Sequence, residues 1–145
     1  MKAILCEKYG PPDSLVVKDL PSPRAGKGEV VISVKAASVN FPDVLIIENK
    51  YQFKPPLPFS PGSELSGVIK EVGEGVAGWK AGDRVMAFTT YGAFAEEVKV
   101  EANRLARLPA MYAASSFSPA EPMMLMITPL LRCFIAAYTP RVRLM

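Results

Sequence analysis

Glu29-Val-Val-Ile-Ser-Val-Lys-Ala-Ala-Ser38 places Val30, Ile32, Val34 and Ala36 on one face at a period of two, the pattern of a half-buried strand. Upstream, Lys2 to Glu7 is an apolar run stopped by the turn Tyr9-Gly-Pro-Pro-Asp13. Leu15 to Lys18 resumes with β-branched residues, and Pro21, Pro23, Gly26 and Gly28 break the chain again. Downstream, Leu65-Ser-Gly-Val-Ile-Lys-Glu-Val72 and Arg84-Val-Met-Ala-Phe88 read as strands. They are separated by the turns Gly73-Glu-Gly-Val-Ala-Gly78 and Trp79-Lys-Ala-Gly-Asp83. Tyr91 to Val100 alternates around Phe94, and Leu105-Ala-Arg-Leu108 closes the set. Short strands spaced by Gly and Pro turns predict a mainly β fold, a barrel or sandwich, over residues 1–110.

The segment joining two of these strands has a different character. Asn40-Phe-Pro-Asp-Val-Leu-Ile-Ile-Glu48 reads as a short helix from Phe41 to Glu48, with Pro42 and Asp43 suited to its first turn. It brings an amide, a carboxylate and, at Tyr51, a phenol to one stretch of chain. Pro61-Gly62 then turns Glu64 to the head of the next strand. Such an arrangement suits a cleft floor where a polar substrate meets a cofactor. Each residue also has a plainer role. Asn40 is a favoured N-cap, Asp43 complements the helix dipole by about 0.3–1 kcal/mol, and Tyr51 suits an ordinary surface. Glu64 suits a structural carboxylate at a strand end.

Composition narrows the chemistry. The chain has 145 residues, 17 basic and 14 acidic, with a net charge of +3. The basic residues are scattered without a run or stripe, so no nucleic-acid footprint is present. There is no histidine, and the two cysteines, Cys6 and Cys133, form no C-x-x-C pair. A structural zinc knuckle is thereby excluded, and no carboxylates cluster in sequence to hold a metal. The N-terminal apolar run is too short for a secretory signal, and a reducing cytoplasmic setting is expected.

Residues 111–145 differ abruptly from what precedes them. All ten glycines lie at or before Gly92, while five of the seven methionines fall at or after Met111. Pro119, Pro122, Pro129 and Pro140 interrupt any long helix, leaving helical pieces around Met123–Ile127 and Leu130–Ala137. Pro122 to Leu131 is uncharged but far shorter than the ~20 residues of a membrane span. The apolar faces of this tail call for cover from the first domain, from a partner or from a second copy in a homodimer.

In order and spacing, Met1-Lys-Ala, Tyr9-Gly-Pro-Pro-Asp, Gly28-Glu-Val-Val-Ile, Ser38-Val-Asn-Phe-Pro-Asp43, Lys50-Tyr-Gln, Leu57-Pro-Phe-Ser-Pro-Gly62, Ser66-Gly-Val-Ile, Gly82-Asp-Arg-Val85 and Tyr91-Gly-Ala-Phe-Ala-Glu96 resemble one family. It is the zinc-independent, zeta-crystallin-like NADPH:quinone oxidoreductases of the medium-chain dehydrogenase/reductase superfamily. The likeness covers the N-terminal half only, from Met1 to about Pro109. It implies a GroES-like β-barrel, with a quinone or enone as substrate and NADPH as cofactor in a cleft shared with a Rossmann domain. In zinc-dependent relatives a cysteine matches Asn40 and a Gly-His-Glu turn matches Gly62-Ser63-Glu64. Asparagine and serine stand at those ligand positions here, which implies a zinc-free site.

The resemblance makes Asn40 the catalytic residue, touching both substrate and cofactor, with its amide donating to a carbonyl oxygen. It adds Asp43 and Tyr51 as substrate-binding residues, Tyr51 stacking on a flat ring. Leu45 stands where some quinone reductases carry a tyrosine, which implies a less polar pocket. The dinucleotide half is not encoded in recognisable form. Gly73-Glu-Gly-Val-Ala-Gly78 comes nearest to a pyrophosphate turn by its glycine spacing, yet it precedes Trp79-Lys-Ala-Gly rather than a helix and reads as a barrel turn. No Rossmann domain is expected. A truncated or frameshifted product would give such a Met/Pro-rich ending. The alternative reading is a non-catalytic barrel that self-associates through its apolar tail.

Overall fold

The computed structural model describes residues 1–108. Its strands are β1 (Lys2–Leu5), β2 (Val16–Asp19), β3 (Glu29–Ala37), β4 (Glu64–Val72), β5 (Arg84–Phe88), β6 (Glu97–Glu101) and β7 (Leu105–Arg107). The helix α1 (Phe41–Ile47) lies between β3 and β4. β1 and β2 form an antiparallel pair, and the other five make an antiparallel sheet in the order β6-β3-β4-β5-β7. Bridges Ala3↔Ala95 and Cys6↔Phe59 tie the small sheet to the rest, so the strands wrap a common core in the expected mainly β, barrel-like way.

The alternation of β3 builds that core, with one correction. Val30, Ile32 and Val34 pack with Ile4, Leu65, Ile69, Val85, Phe94, Val98 and Val100. Ala36 does not continue the face. Val34 pairs with Gly67 but Ala36 pairs with Ser66, so Lys35 is the extra residue of a β-bulge. A bulge shifts the two-residue period by one. Beyond it Ala37 and Val39 pack against the core, and Ala36 and Ser38 face outward into a groove.

A second correction concerns Tyr91 to Val100. The strand begins only at Glu97, although Ala93, Phe94 and Ala95 are buried. Their backbone partners lie in loops and in β1, with Ala93 N–H on Gly62 O at 3.0 Å, Phe94 N–H on Pro61 O at 3.0 Å and Ile4 N–H on Phe94 O at 2.9 Å. The segment crosses between layers, and the Phe94 ring is fully buried in the core. Burying such a side chain is worth roughly 1.5–3 kcal/mol.

Gly73 to Gly78 is the start of the β4–β5 connection, followed by no helix. A Cβ at Gly73 would sit 1.8 Å from the Gly26 carbonyl oxygen, so this glycine serves close backbone approach. Cys6 is a buried free thiol, donating to Lys8 O at 3.3 Å and packed with Ile46, Ile47 and Phe59. Burial pushes its pKa up. The tail's proposed helical pieces and Cys133 lie outside the described residues.

Candidate functional site

Three polar side chains meet where β3 ends, α1 begins and β4 starts. The bulge at Lys35 turns Ser38 outward, and Glu64 heads β4. Ser38 Oγ donates to Glu64 Oε2 at 2.7 Å. Asn40 Nδ2 donates to Ser38 Oγ and to the same Glu64 oxygen, both at 3.1 Å. A carboxylate only accepts, which fixes the amide nitrogen toward Glu64. These two hydrogen bonds, from Ser38 first and Asn40 second, hold the Glu64 pKa below its ordinary value. The edge therefore carries a negative charge at neutral pH.

Asn40 is also the N-cap of α1. Its own N–H donates to Asp43 Oδ2 at 2.8 Å, while the Asp43 N–H bonds Asn40 O at 3.0 Å and faces the Asn40 side chain. This is the reciprocal geometry of a capping box, with Pro42 in the first turn where no donor is needed. Asn49, at φ 60°, takes the left-handed conformation just past the other end.

Asp43 is only 3% exposed. Desolvation raises its pKa to about 6, against the lowering effect of the Asn40 and Gly62 N–H donors, and Glu64 repulsion adds to the rise. Its carboxylate thus faces backbone inside the fold. Tyr51 packs on the cluster of Cys6, Ile46, Ile47 and Phe59. The stacked, exposed aromatic pair is instead Phe53 and Tyr91, with centroids 6.0 Å apart. Of the residues singled out from sequence, Asn40 and Glu64 come together directly, Asp43 lies beneath them, and Tyr51 belongs to the neighbouring cluster.

Ser38 and Glu64 line one end of an open groove of about 620 Å³ on the outer face of the large sheet. Its floor is apolar, from Ala36, Met86, Phe88 and Ala106, with Arg104 at the margin. Met86 is 44% and Phe88 59% exposed. The sequence reading passed over this wall and over Ser38. Its signal was Arg84-Val-Met-Ala-Phe88, a strand apolar on both faces although only Val85 and Ala87 belong to the core. Among the described residues, no three His, Cys, Asp or Glu side chains gather as metal ligands. Among them too, no helix is long and apolar enough to cross a membrane.

Residues 26–110 match the alcohol dehydrogenase GroES-like domain. The chain belongs to that family. This GroES-like chain is 38% identical over 108 residues to mouse (Mus musculus) quinone oxidoreductase-like protein 2, covering 74% of this chain and 30% of the relative. It is 38% identical over 102 residues to the rat (Rattus norvegicus) synaptic vesicle membrane protein VAT-1 homolog, covering 69% of this chain and 25% of the relative. Among solved structures, Escherichia coli quinone oxidoreductase complexed with NADPH superposes with a TM-score of 0.73 at 33% identity, covering 79% of this chain and 35% of that one. The GroES-like chain thus corresponds to the N-terminal part of medium-chain dehydrogenase/reductase oxidoreductases and spans about a third or less of their length.

Proposed function

We propose that this chain supplies the substrate-facing wall of an NADPH-dependent, zinc-independent oxidoreductase that reduces a quinone or another conjugated carbonyl. The observation that carries the reading is the Ser38–Asn40–Glu64 edge at the mouth of an apolar groove. A flat apolar acceptor suits the Met86 and Phe88 floor, and its polar atom suits the edge. The Asn40 amide nitrogen already serves Ser38 Oγ and Glu64 Oε2, which lie 2.7 Å apart on one side of it, so a carbonyl oxygen competes with them or takes the amide hydrogen turned away from them. Either Asn40 or Ser38 can turn to it while the other keeps the carboxylate partnered. Asp43 and Tyr51 contribute by shaping this wall, Asp43 from beneath and Tyr51 through the adjacent cluster.

NADPH would supply the hydride, the demanding part of the chemistry. The described residues do not fit its pyrophosphate: the one glycine turn of suitable spacing opens no helix, and α1 has only seven residues. Residues other than these would have to grip the dinucleotide. The donor set also supports the zinc-free reading, because an amide and a hydroxyl at Asn40 and Ser63 are poor substitutes for cysteine and histidine. A cytoplasmic location and a homodimer belong to the same proposal.

Titrating the 145-residue chain with a water-soluble quinone tests the reading. The Asn40 side-chain amide signals and those of Met86 and Phe88 should shift together, and Asn40→Ala should weaken the response. Unmoved signals at millimolar quinone would remove the groove from substrate binding. Addition of NADPH, followed by its fluorescence, tests the cofactor. A second reading, a non-catalytic module that pairs with its own copy, is favoured by the exposure of Met86 and Phe88. A stable dimer by light scattering, with no response to quinone or NADPH, would select it.

A further inference from the structure

Asp43 is the buried charged residue among those described. It does not line the groove, and its carboxylate receives two main-chain donors from different parts of the fold. One is the Asn40 N–H, 2.8 Å away at the start of α1; the other is the Gly62 N–H in the turn before β4. The Gly62 turn has little freedom to follow if the helix shifts. Gly62 sits at φ +88°, its carbonyl accepts from Ala93, and a Cβ there would lie 2.4 Å from the Phe94 ring. Asn40 and Glu64, the two residues whose contact makes the polar edge, are each anchored to one of these segments.

We propose that Asp43 is a positioning residue: its carboxylate pins the first turn of α1 to the Gly62 turn and so sets where the Asn40 amide meets Glu64. The proposal rests on the reading of Asn40 and Glu64 as the substrate edge, and it gives Asp43 the part of a support beneath that edge. The geometry makes the link directional. Loss of the Asp43 charge weakens both main-chain bonds at once. Glu64, on β4, is the charged group among the described residues that acts on Asp43; the remaining influences are the Asn40 and Gly62 N–H groups from α1 and the turn, and burial itself. Protonation of Asp43 therefore also relieves repulsion on Glu64, so the edge and its support respond together.

Proton–nitrogen correlation spectra of the full chain between pH 7.5 and 5 test this without any substrate. The backbone N–H signals of Asn40 and Gly62 and the side-chain amide of Asn40 should move with one midpoint near the Asp43 value of about 6. In Asp43→Asn that shared transition should vanish. Backbone signals that titrate while the Asn40 side-chain amide stays still would overturn the proposal, because Asp43 would then brace the chain and position nothing. An absence of any transition would overturn it too. The wild-type titration is decisive even where the variant folds poorly. A quinone that fails to bind leaves it untouched, so the two readings fail separately.

Discussion

Asp43 carries an energetic signature whose sign can be worked out. Its folded pKa of about 6 lies above the ordinary 3.8, so the folded state binds a proton that the unfolded state does not between those values. Stability from this group therefore rises as pH falls through about 6 and levels off below 3.8. Between pH 7 and 5 the gain is about 1 kcal/mol, and Asp43→Asn should flatten it in urea melts. Glu29, Glu64 and Glu97 are lowered from 4.5, so stability from them is lost only at more acid pH and stays outside that window. Asn40 makes a complementary case. Asn40→Ala removes the second donor holding Glu64, so the Glu64 carboxyl should titrate closer to its ordinary 4.5 when followed by carbon NMR. The lost cap should cost about 0.5–2 kcal/mol as well.

The element that aims the site is the bulge in β3. Deleting Lys35 should regularise the pairing between Val34 and Ala36 and leave Ala36 opposite Ser66, so Ser38 should stay outward and the Asn40 and Glu64 side-chain signals should keep their mutual shifts. Gly62→Ala should be severe for two reasons, the left-handed backbone at about 1–2 kcal/mol and overpacking against Phe94 at about 1–3 kcal/mol, read as a lowered Tm. The elements themselves were largely legible. Alternation at Val30, Ile32 and Val34 and the Gly/Pro punctuation around each strand are local signals, and so is the Asn40-Phe-Pro-Asp43 helix start. The bulge was not, because Lys35 looks like any outward strand residue and the register shift exists only against β4. Phe94 misled for a related reason: a buried aromatic between alanines reads as strand, whereas its hydrogen-bond partners are loops distant in sequence. In the candidate site, Asn40 was legible as a polar residue at a helix start. Its junction with Ser38 and Glu64 depends on tertiary contacts 24 and 26 residues apart for Glu64, which no local pattern records.

At the largest scale, one sheet face of the described residues is apolar and open beside a charged edge. The ion pairs do little to explain stability, since pairs such as Lys2–Asp19 and Arg24–Glu71 join exposed side chains worth about 0–1 kcal/mol each. The groove is the more informative surface. Met86→Ser with Phe88→Ser should strip most of the fluorescence gained by a hydrophobic dye such as anilinonaphthalene sulfonate, while leaving Tm nearly unchanged because neither side chain belongs to the core. An unchanged dye signal would place the sticky surface elsewhere. Cys6 adds a consequence of another kind. It exchanges backbone bonds with Phe59 at 2.8 and 3.2 Å and is sealed beneath α1, so alkylating reagents reach its sulfur only when the first strand peels away. Peptide-resolved iodoacetamide labelling at that position is therefore a stopwatch for the detachment of the amino-terminal edge.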